Sequence, residues 1–273
     1  MQKVKNFFYV IGDPISHSLS PIMYNSAFKL LNIQKYNYFK LKKVKENKLF
    51  VVLKEFRNSN VKGVAVTIPH KQNVIKFLDK LDSSAKTIGA VNTILNRNGK
   101  LIGYNTDYIG AIKALRKFTS LKNKKIAIFG SGGSARAIIF GLIKQNAELS
   151  IFNRTFKNAL TLANEFHCKA LPISKLNQLI NFDIIINTTP VGMINNKSLI
   201  PKKYISHKQI IFDIIYNPYE TIFIKNGISN NTTVIRGVEM FLEQAYEQFK
   251  LFTNLNPPKS LMREIVLKKL LKK

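Results

Sequence analysis

One cysteine, Cys168, stands in 273 residues, which excludes an internal disulfide framework and any zinc site built from several thiolates. The four histidines are scattered without metal-ligand spacing, so no metal is expected. Apolar runs are short. None approaches the roughly 20 residues that a membrane-spanning helix needs. The early run FFYVIG ends against Asp13 and Pro14, too soon for a secretory signal, so the expected compartment is the cytoplasm, without a membrane partner. Internal repeats and low-complexity tracts are also missing, which leaves a globular chain.

Acidic residues are scarce. Asp and Glu number 15 against 43 Lys and Arg, a formal net charge of +28. Such an excess suggests nucleic acid, because cations that neutralise phosphates release counterions. Here the lysines run along the whole chain beside an excess of Asn and Ile, as a drift in composition would place them, and neither a clustered patch nor a recognised motif accompanies them. No nucleic-acid partner is expected. The final LMREIVLKKLLKK is basic and amphipathic, with Leu261, Ile265, Leu270 and Leu271 near one helical face. That pattern suits a membrane-surface helix or, more commonly, a terminal helix docked on its own domain.

The hydrophobic content of 45% suffices for one large or two ordinary domains. Strand-like runs alternate with helical ones almost throughout, which predicts an α/β architecture with mostly parallel sheets. The first half reads as strand 4–11, helix 21–31, strand 36–41, helix 44–58, strand 62–68 and helix 71–79. Asn98 and Gly99 then separate two β-like runs, a strong hairpin signal. The stretch TDYIGAIKALRKF opens a helix capped by Thr106 or Asp107, with Ile109, Ile112, Leu115 and Phe118 on its buried side. The domain boundary is expected close to that helix.

A second unit begins at KKIAIFGSGGSARAIIFGLI, a buried strand, a glycine-rich turn and a helix. Gly130, Gly132 and Ala135 fit the dinucleotide pattern: the first for the tight turn, the second for close approach of a pyrophosphate, the third for helix–strand packing. The next strand, ELSIF, completes a βαβ unit, the context this pattern requires. That strand ends in Asn153, Arg154 and Thr155, where an NAD enzyme would carry an acidic residue for the ribose 2′-hydroxyl. None is present, and Arg154 can pair with a 2′-phosphate, so the pocket reads as NADP. Two further buried strands end in polar loops, and Thr188, Thr189, Gly192 and Met193 should border the nicotinamide, with Tyr216 nearby.

Carbonyl reduction with a nicotinamide needs a proton source beside the oxygen that gains charge. In VTIPHK, Lys71 falls in the first turn of the expected helix 71–79, where the positive helix end disfavours a cation, so it is a candidate acid–base group. Asp107 is either its orienting carboxylate or an ordinary helix cap, and spacing leaves both open. Asn92 is equally a turn residue, and Gln244 an ordinary polar position on a helix.

Taken together, PISHSLSP, VTIPHK, GAVNT, GYNTD, GSGGSARA, NRT, NTTPVGM and GVEMFLEQA occur in an order and spacing similar to shikimate dehydrogenase, over almost the whole chain. The resemblance implies reversible NADPH-dependent reduction of 3-dehydroshikimate to shikimate in aromatic amino-acid (chorismate) biosynthesis. It implies an N-terminal α/β substrate domain, 1–106, completed by C-terminal helices 239–273, and an NADP-binding Rossmann domain, 107–238, flanking a cleft. Lys71 and Asp107 then correspond to the catalytic pair. Thr67, Asn92 and Gln244 correspond to ligands of the ring hydroxyls, and Ser18, Ser20 and Tyr216 to ligands of the carboxylate, while Ser16 and His17 shape the turn. Neutral hydroxyls suit a carboxylate because they bury no second charge. The implied NADP site comprises Gly130, Gly132, Gly133, Ser134, Ala135, Asn153, Arg154, Thr155, Lys157, Thr188, Met193 and Gly237. A monomer or homodimer acting on a small molecule is expected.

Four positions depart from the family pattern. Ala65 replaces a frequent asparagine, Asn158 a frequent second arginine beside Lys157, and Tyr108 and Glu239 frequent glycines, the last bringing a charge towards the cleft. Rival readings are a quinate/shikimate dehydrogenase using NAD or NADP, and a non-catalytic basic protein that binds NADP or nucleic acid.

Overall fold

A computed structural model of the chain describes residues 6–33, 36–40 and 43–272. Positions 4, 5, 41 and 273 of the expected elements lie outside the described residues. The described residues up to Thr106, with those from Ala245 onward, form one compact unit, and Asp107–Gln244 form a second.

The first unit contains β1 (Asn6–Ile11), α1 (Ser20–Leu30), β2 (Tyr36–Lys40), α2 (Leu49–Arg57), β3 (Val61–Val66), β4 (Lys80–Leu81), α3 (Ser83–Ile88), β5 (Thr93–Arg97) and β6 (Lys100–Tyr104). Its strands form one sheet in the order β2-β1-β3-β5-β6-β4. The β1–β2, β1–β3 and β4–β6 pairs are parallel and the β3–β5 and β5–β6 pairs antiparallel, so this sheet is mixed, with three of its five pairings parallel. Asn98 and Gly99, both with positive φ, close the β5–β6 hairpin as their sequence predicts. Helix α3, six residues long, is too short to show a hydrophobic period. Its signals are local: the Asp82 carboxylate accepts from the backbone N–H groups of Ser84 and Ala85, and Gly89 ends it in the left-handed conformation.

The second unit opens with α4 (Asp107–Arg116), then β7 (Lys125–Phe129), α5 (Gly133–Ile143), β8 (Glu148–Asn153), α6 (Phe156–Phe166), β9 (Lys169–Pro172), β10 (Ile184–Asn187), β11 (Ile210–Asp213), α7 (Ile222–Ser229) and β12 (Thr233–Ile235). All five strand pairings are parallel, in the order β12-β11-β10-β7-β8-β9. This is the doubly wound dinucleotide-binding order, with its switch point between β7 and β10. Strands such as IIIN of β10 are buried on both faces, as parallel sheets covered by helices require.

Helix α8 (Gly237–Thr253) crosses the division, and α9 (Lys259–Leu271) follows it within the first unit. There Phe249 and Phe252 join Tyr24, Phe28 and Phe8 in one aromatic cluster, and α9 packs on α1. Gly63 of β3 is required because a Cβ would strike the Phe252 ring.

Three sequence expectations need correction. Residues 71–79 hold only a five-residue 3-10 helix, Asn73–Phe77, after a turn. Phe118 lies beyond the end of α4 and is 46% exposed, while Ile112 and Leu115 are buried. In α9 the buried face is Met262, Val266 and Leu270, spaced by four, and Leu271 is 61% exposed. Spacing by four keeps side chains on one helix face, whereas Leu270 and Leu271 are adjacent and diverge by 100°.

Candidate active site

The first unit gathers several candidates at the carboxyl ends of β1 and β3. The two loops are stitched together: Asp13 N–H donates to Ile68 O at 2.8 Å and Thr67 N–H to Ile11 O at 2.9 Å. Gly12 allows this approach, since a Cβ would collide with Thr67 Cγ2. Because β5 runs antiparallel to β3, its first residue lies at the same end, and Asn92 just before it joins the group. Val66 N–H donates to Asn92 O at 2.8 Å, and Val91 N–H to Lys71 O at 2.7 Å. Ser18, half-buried, accepts at Oγ from Ser20 N–H at 3.4 Å, and Ser20 begins α1. Ser18, Ser20, Thr67, Lys71 and Asn92 thus come from three segments to one sheet end. The short 3-10 helix behind Lys71 has no α-helical dipole, so no positive helix end acts on this lysine. His70 beside it is fully buried, bonded through Nε2 to Val44 O, while Nδ1 has no hydrogen-bond partner among the described residues.

Asn92 is itself buried and held at both amide atoms. Its Oδ1 accepts from Thr106 N–H and Thr93 Oγ1, and its Nδ2 donates to Thr106 Oγ1, each at 2.8 Å. The next residue in the chain is Asp107, the buried first residue of α4.

In the second unit the glycines of the β7–α5 turn have different causes. Gly130 has φ +116°, and a Cβ would collide with Thr188 Oγ1, which itself donates to Phe129 O at 2.6 Å. Gly132 faces open space, with no atom within 4 Å of an added Cβ, and its φ of −83° suits any residue. No protein contact therefore demands glycine at 132, and the space beside it at the amino end of α5 is open to the close approach of a ligand. Ala135 is fully buried. Asn153 Nδ2 bonds Ser131 Oγ at 3.0 Å and Thr155 O at 3.3 Å, tying the glycine-rich turn to the exposed Arg154, Thr155 and Lys157 before and within the first turn of α6. These features fit a dinucleotide phosphorylated on the adenosine ribose.

A buried carboxylate organises the loops at the other side of the switch point. Asp213, ending β11, accepts from Thr221 Oγ1 at 2.6 Å, Asn187 Nδ2 at 3.1 Å and Ile215 N–H at 3.1 Å. Burial raises its pKa to about 6, against the opposing hydrogen bonds from Thr221, Ile215 and Asn187. Asn187 in turn accepts from Thr189 N–H and Oγ1, which fixes the start of the loop leading to Gly192 and the half-buried Met193. Gly237 lets α8 meet the Ile214–Ile215 backbone, and Tyr216 stacks on Phe241 with centroids 4.2 Å apart. Gln244 donates to Phe241 O and packs where Gly110 of α4 leaves room.

Three consecutive stretches match families of one kind: residues 10–94 the shikimate dehydrogenase substrate binding domain, 113–218 shikimate / quinate 5-dehydrogenase, and 237–267 the shikimate 5′-dehydrogenase C-terminal domain. A shikimate dehydrogenase (NADP(+)) of Methanococcus maripaludis is 42% identical over 271 residues, covering 96% of both chains. The chain belongs to the shikimate dehydrogenase family. A crystal structure of a shikimate dehydrogenase in complex with NADP+ superposes with a TM-score of 0.91 at 36% identity, covering 97% of this chain and 96% of that one. The Thermus thermophilus enzyme in complex with NADP(H) and shikimate gives 0.88 at 33%, covering 96% and 99%.

Against the shikimate dehydrogenase pattern, two of the departures find structural reasons. Glu239 does not stand as a bare charge: Lys117 bonds it at 3.1 Å and Glu243 at 2.7 Å. Partial burial lowers the Lys117 pKa, but its bonds to Glu243 and Glu239 outweigh this and hold it above the usual value. Tyr108 packs edge-on against Phe140, centroids 5.2 Å apart. Ala65 is a buried β3 residue opposite Thr93, and Asn158 is exposed in the first turn of α6. Burial pushes the half-buried Cys168 thiol up to about 11, which disfavours the reactive thiolate. Thr106, read from the sequence only as a helix cap, and Asn187 and Asp213 are site builders that the sequence motifs do not mark. For Asn187 and Asp213 the one sequence signal is a polar residue closing an isoleucine-rich strand, in IIIN and IIFD.

Proposed function

We propose that the chain catalyses the reversible reduction of 3-dehydroshikimate to shikimate with NADPH, a step of aromatic amino-acid biosynthesis. The observation that carries this is the 42% identity over nearly the full length to an NADP-dependent shikimate dehydrogenase. The nicotinamide supplies or takes up the hydride. Lys71 gives the proton to the carbonyl oxygen as it becomes a hydroxyl, and recovers it in reverse, while Asp107 orients the lysine. Thr67, Asn92 and Gln244 bind the ring hydroxyls, and Ser18, Ser20 and Tyr216 the carboxylate. Gly130, Gly132, Gly133, Ser134 and Ala135 receive the pyrophosphate. Asn153, Arg154, Thr155 and Lys157 take the adenosine 2′-phosphate, and Thr188, Met193 and Gly237 border the nicotinamide. Residues 1–106 and the C-terminal helices act as the substrate domain and 107–238 as the NADP domain.

The enzyme works in the cytoplasm as a monomer or homodimer, without nucleic acid. Among the described residues no helix is long and apolar enough to cross a membrane. Initial rates with shikimate, using NADP and NAD separately and quinate as the competing substrate, test this reading. Turnover with shikimate and NADP far exceeding that with quinate or NAD is expected. Comparable rates with quinate and NAD would favour a quinate/shikimate dehydrogenase instead.

A further inference from the structure

Asn92 is anchored by a chain of buried polar groups that reaches well away from the sheet end. Gln248, on the part of α8 that belongs to the first unit, lies with Nε2 2.7 Å from Thr93 Oγ1 and 3.3 Å from Asn92 O. The Tyr24 hydroxyl lies 2.9 Å from Gln248 Oε1 and 3.0 Å from Ala245 O. Tyr24, Gln248, Thr93, Asn92 and Thr106 are all buried.

The directions of the bonds that join Gln248, Thr93 and Asn92 follow from backbone atoms whose roles are invariable. Thr106 N–H can only donate, so the Asn92 atom that faces it is the carbonyl oxygen. Asn92 O can only accept, so the Gln248 atom that faces it is the amide nitrogen. Thr93 Oγ1 sits between the two amides. It accepts from Gln248 and therefore spends its one hydrogen on Asn92 Oδ1. The Asn92 oxygen is thus saturated by two protein donors, and its nitrogen is held as the donor end.

We propose that Gln248 is a positioning residue for shikimate binding: acting through the Thr93 hydroxyl, it locks the Asn92 carboxamide with Nδ2 as the group that donates to a substrate oxygen. The proposal rests on the reading of Asn92 as a substrate ligand. Without the Gln248 donor, the Thr93 hydroxyl is released to turn away from Asn92, and the amide loses the bond that opposes its flipping. The Tyr24 hydroxyl lies against both Gln248 Oε1 and Ala245 O, and its one hydrogen serves one of these acceptors at a time.

Gln248→Met keeps length and removes both polar atoms. With one neutral hydrogen bond at stake, the KM for shikimate should rise about fivefold to tenfold. The bond serves ground and transition states alike, so kcat should change by less than about twofold, and the KM for NADP should not move. Thr93→Val should give the same rise, the double variant no more than Thr93→Val alone, and Thr93→Ser should restore wild-type behaviour. Gln248→Glu, which keeps the shape but turns the donor into an acceptor, carries the same expectation if thermal melts show that the Met variant does not fold. Folded Gln248 variants with an unchanged KM for shikimate, beside an Asn92→Ala variant whose KM rises, would overturn the role of Gln248. Parallel loss of kcat and of affinity for both substrates would reduce it to packing. An Asn92→Ala variant with unaltered shikimate KM would instead remove the reading of Asn92, and the proposal with it.

Discussion

Lys71 reaches the sheet end by a turn after β3, with its carbonyl bonded to Val91 N–H, so its backbone is held independently of its side chain. Lys71→Ala should therefore fold normally and lower kcat by about a hundredfold or more, as loss of an acid–base group does, with a much smaller effect on shikimate binding. Steady-state rates and a direct shikimate titration separate the two; lost affinity at unchanged turnover would contradict the role. The two glycines of the β7–α5 turn make opposite predictions. Gly130→Ala should destabilise the protein by about 1–3 kcal/mol, since φ +116° is strained for any side chain. Gly132→Ala should leave the melting temperature unchanged and weaken NADP binding, because only a ligand needs that space. Arg154→Ala should raise the KM for NADP about tenfold, the value of one charge-assisted bond, and leave that for NAD within about twofold.

At the scale of elements, the ends of β10 and β11 are coupled through Asp213. Its folded pKa, about 6, exceeds its ordinary value of 3.8. Between about pH 4 and 6 the folded protein keeps a proton that the unfolded chain has lost, so this group's contribution is complete below about pH 4 and is lost as pH rises through 6. The shift corresponds to about 3 kcal/mol. Urea unfolding of wild type and Asp213→Asn should show the difference between them moving in favour of wild type as pH falls from about 7 to 4. A difference independent of pH would mean that the carboxyl titrates normally. Element types in the second unit were legible because parallel buried strands and amphipathic helices have distinct periods. The expected helix 71–79 fails for a local reason: past the turn its residues bond in the tighter 3-10 pattern, Ile75 N–H to Gln72 O and Leu78 N–H to Ile75 O, and the segment must deliver β4 two residues later to pair with β6.

For the whole molecule, the net charge of +28 belongs to a fold whose family and relatives are metabolic enzymes. Any affinity for duplex DNA should be diffuse and fall at least about a thousandfold between roughly 50 and 200 mM salt; binding that survives would point to a specific surface. Local pattern along the chain is enough for the α/β class, the β5–β6 hairpin at Asn98 and Gly99, the dinucleotide turn, and candidates such as Lys71 and Asn92 through the order of their motifs. Tertiary structure alone decided which polar residues serve each other. Gln248 lies 155 residues from Thr93, and Asp213 is 26 from Asn187, yet each pair shares a buried hydrogen bond. No period or spacing records such a pairing, because the low dielectric of the interior enforces it only after the chain has brought the groups together.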